Sequence, residues 1–154
     1  RPEPLLMSQP FPARRASDLG CAASNNDLDM FEAMRTTALL HKLQRNDPRV
    51  LPAPAVLEMA TRGGAAALGL GDRVGALEAG KRADAILVDV RGARQTPLYD
   101  PVSHLVYVAR GSDVTTTIVH GQVLMRDRRV LTLNEAEVLR EARAAADRVR
   151  AAVK

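Results

Sequence analysis

The sequence predicts a mixed α/β chain in which helices come first, short strands follow, and one further helix closes the order. Three observations predict it. Apolar residues recur at helical spacing from Leu28 to Leu43. Beyond Gly71 the pattern shifts to short β-rich runs bounded by glycine and charged residues. From Asn134 onward, Val138, Ala142, Ala145, Val149 and Val153 mark a single apolar stripe.

Residues 1–23 carry Pro2, Pro4, Pro10 and Pro12 with Arg14 and Arg15, follow neither period, and read as an irregular leader. From Asn26 the reading changes: Asn26 is a helix cap, and Asp27 and Asp29 complement the positive N-terminal end. That helix runs to about Arg45 and stops at Asn46-Asp47-Pro48. A second begins near Pro54, a residue suited to a first helical position, and Gly63-Gly64 is expected to interrupt it before a short helix over 65–68.

Val74 to Leu77 and Ala85 to Val90 read as strands, the second nearly continuous in apolar residues and so expected to be buried on both faces. Leu105 to Val108 is too short for periodicity to separate strand from helix. Thr115 to Val119 and Val123 to Met125 flank His120-Gly121-Gln122 and predict a hairpin. Asn134, with Glu137 at the third position, caps the last helix, which is expected to pack back on the sheet.

The 154 residues are 46% hydrophobic, enough for one core. The net charge of +4 comes from 22 basic and 18 acidic residues that are mostly interspersed, apart from the cluster Arg126-Asp127-Arg128-Arg129. Aromatics are 3% and tryptophan is absent, which argues against a nucleic-acid surface, where clustered positive charge and stacking rings are needed. A single cysteine, Cys21, makes no intrachain disulfide and predicts cytoplasmic residence. No apolar run approaches the ~20 residues of a membrane span, and the first ten residues lack the apolar core of a secretory signal.

Several motifs then stand out together. Ser24-Asn25-Asn26-Asp27-Leu28-Asp29-Met30-Phe31-Glu32-Ala33-Met34-Arg35 opens the first helix. Gly75-Ala76-Leu77-Glu78-Ala79-Gly80-Lys81-Arg82-Ala83-Asp84, Asp100-Pro101-Val102-Ser103-His104-Leu105-Val106-Tyr107 and Val119-His120-Gly121 follow. In these runs the chain resembles the amidohydrolase superfamily, in the branch of the 5-methylthioadenosine/S-adenosylhomocysteine deaminases and their chlorotriazine hydrolase and guanine deaminase relatives. The glycine-rich run points to the superfamily; the Ser-Asn-Asn and Asp-Pro-Val-Ser-His runs point to the branch. The resemblance covers roughly residues 24 to 154 and implies the C-terminal fragment of a (β/α)8-barrel hydrolase, because the barrel alone takes about 250 residues. It implies the last barrel helices over 24–70 and a small β-rich domain with a terminal helix over 71–154. In relatives that small domain is a composite sandwich completed by strands from the N-terminal end, so some strand edges here are expected to lack partners.

For a full-length relative the resemblance implies hydrolytic deamination of an adenosine derivative. Zinc or another divalent metal supplies hydroxide near neutral pH, and a glutamate shuttles the proton. The metal is held by a His-x-His pair, two further histidines and an aspartate at the end of the last strand. This sequence has three histidines, His41, His104 and His120, and no His-x-His, so it cannot assemble that set and is expected to bind no metal alone. Asp18 is the candidate for the metal-ligand aspartate. It departs from the family spacing by two extra positions before Ser24, and no apolar strand precedes it, which predicts a break in homology near residue 23.

His41 reads as a solvent-facing helix residue, His104 as a structural hydrogen-bonding group and His120 as a turn residue. Ser24, Asn25 and Asn26 lie at the implied barrel rim, yet turn and cap chemistry accounts for them without a ligand. Gly69-Leu70-Gly71 and Gly80-Lys81 lack the setting of a phosphate cradle, and Cys21 has no histidine nearby in sequence to activate it. Two functions follow as expectations: the C-terminal part of a deaminase, inactive as an isolated chain and dependent on self-association or a complementary barrel chain, or a non-catalytic oligomerisation or interaction module derived from that family.

Overall fold

The computed structural model describes residues 27–153; Asp18, Cys21, Ser24, Asn25, Asn26 and the leader lie outside them. The first helix, α1 (Met30–Arg45), starts later than the Asn26 cap predicts. Its cap is Asp29, whose carboxylate accepts from the Phe31 N–H at 2.8 Å. Asp27 instead accepts from the Asp29 N–H at 3.1 Å, a local side-chain bond just ahead of the helix. Asn46, in the left-handed conformation, closes α1 where expected.

Phe31, Met34 and Ala38 fall on one face of α1 and are buried. They meet Ala53 and Val56 of α2 (Ala53–Glu58) together with Val106 and Ala109 at the end of α4 (Pro101–Tyr107). This three-helix contact is the core of the described residues. Pro54 sits in the first turn of α2, and Asp100 caps α4 by accepting from the Val102 N–H at 3.0 Å. The ambiguous run Leu105 to Val108 is therefore mainly the last turn of a helix.

Gly63-Gly64 does not interrupt the second helix. The chain passes from α2 through a five-residue π-turn, Met59–Gly63, into α3 (Gly64–Ala67), with both glycines in the right-handed helical region. The Thr61 hydroxyl donates to the Leu57 carbonyl at 2.7 Å, tying the widened turn to the one before it. Beyond α3, Val74 to Leu77 forms bends rather than the expected strand. Gly75 has φ +91°, a left-handed conformation outside the extended region of a strand, and a β-carbon there would stand 2.7 Å from the Ala65 β-carbon and 3.1 Å from the Thr61 carbonyl oxygen.

Four strands form one antiparallel sheet in the order β1-β2-β3-β4: β1 (Ala85–Val88), β2 (Val114–Val119), β3 (Gln122–Arg126) and β4 (Arg129–Val130). His120 and Gly121, at φ 53° and 77°, make the two-residue hairpin turn that the sequence predicts. The basic cluster turns out to be a second such hairpin, with Asp127 and Arg128 at φ 48° and 61° and Arg126 opposite Arg129. Asp89, just past β1, has its carboxyl held down at about 2 by hydrogen bonds from the Arg91 side chain and amide.

Two expectations about burial are overturned. The strand β1 is at the edge of the sheet, and Ile86 and Leu87 are 48% and 56% exposed, so it is not covered on both faces by the described residues. The last helix, α5 (Glu135–Ala152), is capped by Asn134 as predicted, accepting from the Glu137 N–H at 3.4 Å, but none of its residues is buried. Its apolar stripe is not packed on the sheet: Val138 and Val149 are 46% and 63% exposed, with Ala145 half-buried between them.

Candidate functional site

The place to look for function is the N-terminal end of α1, because the Ser-Asn-Asn-Asp-Leu-Asp run leads into it and the candidate ligand Asp18 precedes it. Asp29 does two jobs there with one carboxylate. Oδ1 caps α1, and Oδ2 accepts from the Gly111 N–H at 2.8 Å, a contact across 82 residues of chain. Arg35, two turns along, donates from Nη2 to the Ala109 carbonyl at 3.0 Å. These two bonds clamp the 109–111 segment, at the exit of α4, against α1. A β-carbon on Gly111 would lie 3.2 Å from Asp29 Oδ2, so the close approach suits glycine.

The acidic groups at this end interact. The Glu32 carboxyl is shifted upward, first by its hydrogen bond with Asp27, then by the Asp27 charge, with burial and Asp29 adding to it and Arg35 opposing. Asp29→Ala is expected to cost about 1–3 kcal/mol, since it removes a cap and leaves the Gly111 amide without its charged acceptor. Hydrogen exchange checks this: the Phe31 and Gly111 amides should lose protection together, and loss at Phe31 alone would mean that the clamp carries no weight.

The sequence motifs resolve into structural staples. Glu78 takes Arg62 of the π-turn at 2.6 Å and Lys81 at 3.4 Å, while Lys81 also donates to the Gly71 carbonyl at 2.9 Å. Asp84 accepts from the His120 N–H at 2.6 Å, and the Ala83 carbonyl accepts from the Gly121 N–H at 2.9 Å. The Ala83-Asp84 pair therefore holds the hairpin turn of the Val-His-Gly motif. Asp113 receives both oxygens' worth of Arg94, at 2.6 and 2.8 Å. Burial pushes its carboxyl up, but those bonds and the one from the Arg110 amide bring it net below the ordinary carboxylate range.

The three histidines do not come together. His41 is half-buried on α1 rather than solvent-facing, His104 is on α4, and His120 is exposed at the hairpin tip. The structural hydrogen bond expected of the His104 ring is not found at Nε2, which is buried and unpaired among the described residues. No group of three or more His, Cys, Asp or Glu side chains among the described residues could hold a metal ion. These residues do not fit the family's metal centre. Among the described residues, no helix is long and apolar enough to cross a membrane. Sequence reading identified Asp29 as a helix-end charge but missed its bond to Gly111 and the role of Arg35; no local signal marks a pairing over that distance.

Comparison with known proteins gives this arrangement its context. The amidohydrolase family model matches residues 15–124, a span that begins within the leader and takes in Asp18. A 5-methylthioadenosine/S-adenosylhomocysteine deaminase of Syntrophobacter fumaroxidans is 49% identical over 92% of this chain and 32% of its own length. A 5'-deoxyadenosine deaminase of Methanosarcina mazei is 54% identical over 87% of this chain and 30% of its own. Among solved structures, an adenosine deaminase from Xanthomonas campestris with bound zinc superposes with a TM-score of 0.83 and 41% identity, covering 85% of this chain and 30% of that one. The atrazine chlorohydrolase from Arthrobacter aurescens, also complexed with zinc, gives 0.72 and 30% identity over 80% and 28%. The chain thus spans about a third of the length of the relatives it matches, and the helices and sheet described above are a fragment of their barrel-hydrolase architecture. On the family match and the shared fold alike, this chain belongs to the amidohydrolase family.

Proposed function

We propose that this chain is the C-terminal part of an aminohydrolase that deaminates adenosine derivatives of the 5-methylthioadenosine/S-adenosylhomocysteine type, and that alone it does not turn substrate over. The observation that carries the reading is the 49% identity to a deaminase of that name across 142 residues, from the barrel-end motif through the small domain. The clamp between Asp29 and Gly111 gives this stretch a physical role: it fixes the segment following the last barrel strand against α4. The edge of β1, unpaired among the described residues and with Ile86 and Leu87 exposed, is where strands from the rest of a full-length relative would complete the sandwich. A barrel on the same polypeptide or on a complementary chain would supply the histidines and the metal.

The test is spectroscopic. The purified chain with added zinc is given S-adenosylhomocysteine and 5-methylthioadenosine, and the change from adenine to hypoxanthine absorbance is followed. It is then mixed with the separately expressed N-terminal two-thirds of the Syntrophobacter deaminase. We expect no turnover alone and measurable turnover in the mixture. Turnover by the chain alone would overturn its inactivity, and none in a mixture shown to associate would overturn the deaminase assignment.

The exposed sheet edge and uncovered α5 favour one second reading, an oligomerisation or interaction module without catalysis. Cooperative unfolding of a monodisperse, metal-free protein that fails to join a barrel fragment would support it.

A further inference from the structure

The helix α5 carries features that the deaminase reading leaves unused. It is 18 residues long, about 27 Å, and no residue on it is buried. Val138, Ala142, Ala145 and Val149 succeed one another at intervals of four, three and four, the seam spacing of a two-helix coiled coil. Leu139, and Val153 just past the helix end, widen the seam on one side and are 46% and 82% exposed. At the other side stand Glu141 and Arg148, seven residues apart and on the same edge.

On the outer face and its margin, Arg140 pairs with Glu137 at 3.3 Å and Arg150 with Asp147 at 3.0 Å. Glu135, Glu141, Arg143 and Arg148 make no ion pair among the described residues, and of these Glu141 and Arg148 are the two that flank the seam on one edge. We propose that α5 docks antiparallel on α5 of a second copy of this chain. Placing Ala142 opposite the second copy's Ala145 puts Val138 opposite its Val149, and the two-fold axis repeats both contacts. The small alanines let the backbones approach at the centre while the valines fill the ends. In the same register Glu141 of each copy lies beside Arg148 of the other, giving two ion pairs. A parallel pair would set those charges beside the second copy's Leu139, Ala146 and Val153, so the charge pattern selects the antiparallel, self-complementary arrangement.

The experiment is sedimentation equilibrium of the full chain, metal-free, over the micromolar range. Wild type should fit a monomer–dimer equilibrium. Arg148→Glu places like charges at both pairs and should weaken dimerisation by about tenfold. The exchange of both charges, Glu141→Arg with Arg148→Glu, should restore it. Because no α5 side chain is buried, these variants are expected to keep the wild-type far-ultraviolet spectrum, which is the control for folding. A wild type that remains monomeric would overturn the proposal and assign the stripe to the missing barrel portion. A dimer indifferent to Arg148→Glu, or one that the charge exchange does not rescue, would overturn it too, by placing the interface elsewhere, as at the β1 edge.

Discussion

Phe31→Ala is expected to lower the free energy of unfolding by about 3–5 kcal/mol, the range for removing a buried aromatic ring that its neighbours cannot close over. Phe31 is 7% exposed and sits with Met34 and Ala38 against Val56, Val106 and Ala109, so the cavity would open where α1, α2 and α4 meet. The described core is small, and a loss of this size is comparable with the whole stability of a marginal domain. Urea titration followed by far-ultraviolet ellipticity measures it. Leu43→Ala is the control: Leu43 is on the same helix but 78% exposed, and its loss should move the midpoint little. Equal effects at the two sites would mean that α1 does not present this face to the core.

Gly75→Ala should cost about 2–5 kcal/mol through two separable effects. The first is conformational, since φ is +91° and a β-carbon there carries a penalty of about 1–2 kcal/mol. The second is steric: the β-carbon would stand 2.7 Å from the Ala65 β-carbon, 3.1 Å from the Thr61 carbonyl oxygen and 3.2 Å from the Arg62 α-carbon. Two of those atoms are backbone of the π-turn and cannot swing away, so overpacking adds about 1–3 kcal/mol. Gly80 separates the terms. It has φ +89° but nothing within 4 Å of its added β-carbon, so Gly80→Ala should show the conformational cost alone. If both variants lose the same stability, the loop over 71–84 does not press on the π-turn.

Much of the architecture was legible because local chemistry decides it. The cap of α5, the end of α1 at Asn46 and the His120-Gly121 hairpin depend on residues within four positions of the backbone they serve. The second hairpin is less legible: Asp127-Arg128 stands in the sequence as part of a charge cluster, and arginine is an uncommon occupant of a positive-φ turn position. Glycine's low helix propensity predicts a break at 63–64, but the chain stays helical there, and at Gly63 the missing β-carbon suits the close approach of the Glu58 carbonyl, 3.3 Å from where one would stand.

What the sequence by itself determined is the order and type of the main elements, their caps, and the motifs that tie the chain to the amidohydrolases. Only the tertiary structure decided that Asp29 rather than Asn26 caps α1, and that the same carboxylate reaches Gly111. It also decided that Val74 to Leu77 bends over Ala65 instead of extending, and that β1 and α5 keep their apolar sides uncovered by the described residues. The reason is one of range: caps and turns are settled by neighbours in sequence, whereas burial and a shared carboxylate depend on which distant backbone arrives beside them. Periodicity shows that a face is apolar; it says nothing of what covers it.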